Sequence, residues 1–279
     1  MSAEPPQLRD VGGPSALGGG WRRAADLLLL IAATEFKRTY FGTALGYLWT
    51  IMRPLLLFGV LLAVFTQAFH LGNSVPHYAV LLLLNIVLFG FFQEATSTAV
   101  SSVVMQESIV RKTQFPRLVI PLAVVLTALF NLGLNLVVVF VFLLAFGVDP
   151  HWTWLLLPLV VLVIGVFTTA VSMIVSALYP RFRDVAIIWS VAAAALFYAT
   201  PVLYPLEAIH GTMRAIISLN PLSPILTLAR QWIIDPHAQG PVALTGGTRI
   251  LVPIAIYLGT CVLAIWVFDR EAPRIAEAL

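Results

Sequence analysis

The chain has 279 residues, 60% of them hydrophobic and 10% charged, with a mean hydropathy of +0.95, whereas soluble domains carry about 25% charged residues. That excludes a water-soluble globular protein, and runs near the roughly 20 residues a helix needs to cross hydrocarbon, without barrel-like alternation, predict an all-α integral membrane protein. The net charge of +3 sits at the ends of the apolar runs, where orientation needs it, and points to no nucleic acid.

Residues 1–20, rich in Gly and Pro, are expected as a mobile cytoplasmic tail; the first apolar run starts after Asp26 and lacks a small-residue cleavage site. Residues 21–43 hold an apolar core too short to span. On a wheel of about 100° per residue, Arg22, Arg23, Asp26 and Lys37 gather on one side and Leu28, Leu29, Ala32 and Phe36 lie opposite, with Leu30 and Glu35 against the split. This fits an amphipathic helix in the cytoplasmic interface; a solvated helix would leave LLLLI in water. Lys37 and Arg38 close it, and Gly42 and Gly46 allow a change of direction. Tyr47 and Trp49 suit the headgroup level, and Pro54 begins the deeper part of the first span, where a missing N–H costs least if the helix is broken there.

Six spans are predicted within 44–268: Leu48–Phe69, Tyr78–Val104, Leu118–Phe146, Trp154–Leu178, Val185–Tyr204 and Ile250–Phe268. Arginines and lysines cluster before the first span and in the second-to-third, fourth-to-fifth and post-sixth connections. The loops His70–His77 and Gly147–Thr153 have none, so both termini are expected in the cytoplasm, with residues 269–279 as a cytoplasmic tail. The five histidines then lie outside without helical ligand spacing, and the single cysteine, Cys261, has no partner for a disulfide or thiolate metal site; no metal centre is expected.

Residues 201–249 contain Pro201, Pro205, Pro221, Pro224, Pro236 and Pro241, and their apolar pieces are too short to cross. Surface helices and a re-entrant pair both remain possible. The two prolines of TPVLYP, which end a span, favour the re-entrant reading.

The chain has only two lysines, Lys37 and Lys112, neither after a phosphate-cradling glycine loop, so it is no P-loop ATPase. Glu94 is the one acid well inside a span. A proton-driven carrier usually shows a chain of such groups, and a transferase needs converging acids, whereas Asp149, Glu207 and Asp235 are scattered. Glu94 is read as a structural charge pair with Arg53, with protonation or a watery path as the alternatives. Asn131 and Asn135, four apart, read as interhelical glue. The loop MQESIVRKTQFPRLVIP suggests a short docking helix stopped by Phe115-Pro116-Arg117, where an ordinary basic loop would need no such ending. Sugars stack on aromatic rings, which makes Phe89, Phe92, Trp189, Phe197 and Tyr198 the candidate substrate path.

The ordered set KRTYFGTALGYLWTIMRP, ESIVRKTQFPR, YPRFRDV, TPVLYP, LNPLSP and Arg230, from about Trp21 to Phe268, resembles the permeases of type-2 ABC transporters, and more narrowly the branch that exports lipid-linked polysaccharides such as O-antigens, teichoic acids and galactans. The resemblance implies a bacterial inner-membrane homodimer forming a conduit, paired with two copies of a separate ATPase that carries the ATP and Mg. This chain would hold no cofactor and catalyse no chemistry. The resemblance also places ATPase docking at Arg22, Arg23, Lys37 and Arg38 of the interface helix, at the coupling helix with Glu107, Arg111, Lys112, Phe115 and Arg117, and at Arg181, Arg183 and Asp184. The gate would lie at Pro201, Pro205, Asn220 and Pro221. A permease for a small drug or lipid, a proton-coupled carrier and a membrane transferase are the alternatives.

Overall fold

The structure is a computed structural model that describes residues 20–40, 46, 48–67, 75–106 and 117–278. Among these the regular elements are all helical: α1 (Gly20–Tyr40), α2 (Leu48–Gln67), α3 (Tyr78–Met105), α4 (Val119–Ala145), α5 (Leu157–Leu178), α6 (Val185–Ala199), α7 (Gly211–Ser218), α8 (Leu222–Ile233), α9 (Pro241–Thr245) and α10 (Leu251–Ala278), with 3-10 turns at Trp152–Leu156, Leu206–Ala208 and Gly247–Ile250. Among the described residues five helical segments are long and apolar enough to cross a membrane, containing α2, α3, α4, α5 and α10. Of the six predicted spans, the fifth differs: α6 has 15 residues, about 22 Å of helix against a hydrocarbon core of about 30 Å.

The bundle is built around α3. Of its most apolar stretch 78% is buried, against 6% for α2 and 17% for α10. Around it the neighbours follow one another: α2 packs on α4, α4 on α5, α5 on α6, and all four also pack on α3. Among the described residues no comparable contact joins α6 back to α2, so their ring around α3 is open on one side. Hydrocarbon is no worse a solvent for Leu than another helix is, so close packing and interhelical hydrogen bonds, rather than escape from water, hold such a bundle. The rings supply much of that packing. Phe92 stacks on Phe167 of α5 (5.9 Å, 18°), and Phe58 of α2 meets Phe142 of α4 edge-on (5.8 Å).

The first helix does not lie free. Ala32 is fully buried where α1 crosses α4, its carbonyl accepts the Thr127 hydroxyl at 3.3 Å, and Phe36 packs edge-on against Phe130 at 5.7 Å. Leu28, Ala32 and Phe36 recur every fourth residue, a single helical face, while Leu29 and Leu30 stay exposed and Asp26 and Lys37 face outward. Beyond α1, Gly46 has φ 49, the left-handed conformation glycine adopts without strain, and its carbonyl accepts the Trp49 N–H at 3.3 Å. Gly42 and Tyr47 lie outside the described residues. Pro54 sits inside an unbroken α2, so the Thr50 carbonyl four residues back has no Pro54 N–H to accept.

At one end of the bundle, α8 ends against the turn before α5. Thr153 donates its hydroxyl to the Trp232 carbonyl, and Trp154 donates its indole N–H to the Ile233 carbonyl at 2.9 Å. These are helix-terminal carbonyls that the helix itself leaves without donors. At the other end of the chain, the segment from 269 expected as a tail continues α10 to Ala278.

Candidate functional site

Three arrangements gather the residues singled out in the sequence. The first is the end of α6. Proline at 201 has no N–H and pushes the preceding residue out of helical geometry. The helix accordingly stops at Ala199, and Thr200 is extended at φ −111, ψ 145. The chain that follows is irregular yet buried: Pro201, Val202, Leu203 and Pro205 are all inside the protein. Such backbone is tolerated at membrane depth only where protein satisfies its polar groups. Here α3 does so. Tyr78 donates its hydroxyl to the Leu203 carbonyl at 2.7 Å, and Asn85 donates to the carbonyls of Pro201 and Val202 at 3.0 and 3.3 Å.

The same segment is tied to the start of α8. Asn220 donates to the Thr200 hydroxyl at 2.7 Å while its side-chain carbonyl accepts the Leu222 N–H at 3.0 Å. Of the predicted gate residues, Asn220 is thus tied to Thr200, the neighbour of Pro201, Pro221 follows Asn220 directly in sequence, and Pro205 is buried further along the irregular segment. Tyr78 and Asn85 were missed by the sequence reading. Asn85, an amide amid LLLLNIVLF, carried a usable signal: a buried amide needs partners.

Nearby, Arg230 of α8, 11% exposed along its side chain, forms an ion pair and hydrogen bond with Glu207. Arg214 of α7 donates two bonds to the Leu244 carbonyl, at 3.1 and 2.9 Å. Arg230 thus joins α8 to the turn after α6, and Arg214 joins α7 to α9. The separations of 23 and 30 residues match no local pattern, so sequence could not show them.

The second arrangement is aromatic. Tyr198 meets Phe197, Phe197 meets Phe89, Phe89 meets Phe92, and Phe92 meets Trp189, at centroid distances of 5.3, 5.3, 5.7 and 6.1 Å. Trp189 also donates its indole N–H to Thr96 at 3.2 Å. The five rings predicted for a substrate path are therefore contiguous, but their exposure differs. Phe89 and Phe92 are each 1% exposed, Trp189 and Phe197 are half-buried, and Tyr198 is 67% exposed. Phe89 and Phe92 pack α3 onto α5 and α6, and of the set Tyr198 alone presents a broad outward surface.

The third is polar. Asn131 of α4 donates to the Glu94 carboxylate, and Asn135 donates to the Asn131 carbonyl at 2.8 Å. Asn131 thus joins two helices, as its position suggested. Among the described residues Arg53, exposed on α2, makes no ion-pair contact with Glu94, whose carboxylate accepts from Asn131.

On the predicted cytoplasmic side, Arg181 forms a surface pair with Glu271 of α10 at 3.6 Å, and Arg181 and Arg183 lie over the rings of Phe182 and Tyr179 at 5.1 Å. Arg181, Arg183 and Asp184 are exposed. Such a pair contributes about 0–1 kcal/mol, and leaves the turn available to a partner. Lys37 is exposed and Arg117 half-buried. Glu107, Arg111, Lys112 and Phe115 lie outside the described residues, as do the side chains of Arg22, Arg23 and Arg38. Among the described residues no group of His, Cys, Asp and Glu could hold a metal ion.

A helical bundle with several helices long and apolar enough to cross a membrane, and a broken helix end plugged into its core, defines a multi-pass membrane protein. The profile of the ABC-2 type transporter family matches residues 26–234, and the chain belongs to that family. It is similar to the "O-antigen export system permease protein RfbA" of Myxococcus xanthus, 32% identical over 231 residues, 81% of this chain and 88% of that one. Two proteins of the same name from Klebsiella pneumoniae are 32% identical over 202 residues, covering 72% and 77% of the two chains, and 30% identical over 237 residues, covering 83% and 91%.

Proposed function

We propose that this chain is the permease subunit of an ATP-driven exporter that carries a lipid-linked polysaccharide, of O-antigen, galactan or teichoic-acid type, across a bacterial inner membrane. The observation that carries the reading is the broken end of α6, docked on Tyr78, Asn85 and Asn220, together with likeness to three O-antigen export permeases over most of their length. A helix end held by a few hydrogen bonds can be released and re-docked, which is what a gate requires.

In this reading α6 and the buried stretch to Tyr204 together make the fifth of six spans, and 201–249 is the re-entrant region on the outer face. Then α1 lies at the cytoplasmic interface and both termini are cytoplasmic. Two copies of the chain form the conduit, and two ATPase subunits, carrying ATP and Mg, dock on α1, on the loop holding Glu107, Arg111, Lys112, Phe115 and Arg117, and on Arg181, Arg183 and Asp184. The chain itself makes and breaks no covalent bond. Depleting it should leave a lipid-linked glycan on the cytoplasmic face, and an ABC ATPase should copurify with the intact protein. A depleted strain whose surface glycan is unchanged would defeat the reading.

A further inference from the structure

Away from the broken helix end, α4 and α10 both pack on α5, yet among the described residues they make no comparable contact with each other. Between them lies a groove of about 510 Å³ that follows α5 from Pro158 to Met173. At about 1.5 Å per residue it runs for roughly 22 Å, most of a hydrocarbon core about 30 Å thick. Its base is closed, with Val125 of α4, Ala170 of α5 and Ala264 of α10 all buried; its mouth is open, with Leu162, Val166 and Ile265 exposed.

The lining excludes polar occupants. Thr169 turns its hydroxyl back onto the Gly165 carbonyl at 2.8 Å, and the rest of the wall is apolar side chains and the Cys261 thiol. A sugar or a peptide backbone would lose its hydrogen bonds there, whereas an aliphatic chain has none to lose. Glycines in membrane helices usually let two backbones approach closely. Gly165 does not: a Cβ at that position would meet no atom within 4 Å, so its missing side chain leaves room inside the groove.

One end of the groove carries charge. One turn past Ile265, on the same face of α10, stands Asp269, the first charged residue of that helix after the uncharged run from Leu251 to Phe268. Beside it Arg270 lays its guanidinium over the Trp266 ring, 5.2 Å from the centroid. All three are exposed, and among the described residues neither Asp269 nor Arg270 forms an ion pair. A tryptophan and the first charges past an apolar run mark the headgroup layer.

We propose that this groove is a binding site for a membrane phospholipid of the phosphatidylethanolamine type, with one acyl chain lying along α5 past Gly165, its ammonium group on Asp269 and its phosphate on Arg270. Adjacent side chains of opposite charge match a headgroup that holds a cationic donor and an anionic acceptor close together. Phosphatidylglycerol would satisfy Arg270 and leave Asp269 without a cation. The site lies apart from the docked end of α6, and the proposal does not depend on what the chain exports.

The test uses the intact protein, purified in detergent, stripped of lipid and then offered dioleoyl phosphatidylethanolamine or dioleoyl phosphatidylglycerol, with bound lipid counted by native mass spectrometry. Phosphatidylethanolamine should be held about ten-fold or more tightly than phosphatidylglycerol, the scale of a hydrogen bond to a charged group. Gly165→Leu fills the groove and should weaken retention by about ten-fold or more, with the lipid-free thermal midpoint no lower than that of the parent. Asp269→Asn should hold the two lipids equally. Equal retention of both by the unaltered chain would overturn the headgroup assignment, and a Gly165→Leu chain that holds phosphatidylethanolamine like its parent would overturn the groove. A groove that retains neither lipid because a second copy covers it, seen as cross-linking between chains carrying Gly165→Cys in a Cys261→Ala background, would also overturn the proposal.

Discussion

Asn85 and Arg230 show how single side chains hold an irregular segment inside a bundle. Asn85 donates to two carbonyls of the segment that follows α6; Asn85→Leu keeps the volume and leaves both without that donor. Unsatisfied buried groups cost about 1–3 kcal/mol, and measured interhelical bonds in membranes average nearer 0.6. The expected loss is therefore about 1–2 kcal/mol, read as a lower thermal midpoint of the detergent-solubilised protein, with export reduced because the docked state is weakened. Arg230 makes a sharper case. Removing Glu207 leaves a guanidinium largely buried without its counter-ion, a change that costs about 3–5 kcal/mol in closed sites. Glu207 is 26% exposed, which sets the expectation for Glu207→Leu near 3. The double variant Glu207→Leu/Arg230→Met should recover much of that loss. A double variant as unstable as the sum of its parts would show that the two residues do not act as a pair.

At the scale of elements, the long apolar helices were legible because hydropathy over about 20 residues is a strong signal, and α3, α4 and α5 fall within a few residues of the predicted spans. The stop of α6 was legible in part, since TPVLYP announces a break, but periodicity could not tell that the residues after it stay buried under Tyr78 and Asn85. Pro54 is the converse case. Proline lowers helix stability without forbidding it, and α2 runs through. The face of α1 was half legible: Leu28, Ala32 and Phe36 do form its packed side, but Leu29, placed with them by the wheel, is 53% exposed. A helix that packs on α4 through the small side chain of Ala32 buries a narrow strip rather than half its circumference. For the docking loop, Arg111→Ala/Phe115→Ala should leave membrane insertion unchanged while loosening the ATPase subunit or uncoupling hydrolysis from export. A variant that retains its ATPase on purification and exports normally would remove that loop from the coupling role. Gly46→Val forces a branched side chain into the left-handed region at a cost of about 1–2 kcal/mol, and should loosen the joint between α1 and α2, seen as faster proteolysis there.

For the whole molecule, hydropathy gave the membrane class, whereas the order of helices around α3 came only from the packed structure. A linear sequence states which helices exist. It does not state that α6 and α2 leave a side of α3 uncovered, because that depends on long-range contacts with no local pattern. The same limit explains why the aromatic rings looked like a path: ring chemistry suits sugars, but Phe89 and Phe92 face α5 and α6 and serve as packing. The account's central claim is that the chain moves a lipid-linked polysaccharide at the expense of ATP hydrolysed by a partner. The most direct measurement is transfer of the cell's own lipid-linked polysaccharide to the far leaflet in vesicles containing the chain and its copurified ATPase, with that ATPase's nucleotide site intact or disabled. The account predicts transfer that requires the intact site and is indifferent to a protonophore; transfer that persists with the site disabled and collapses with the proton gradient would contradict it.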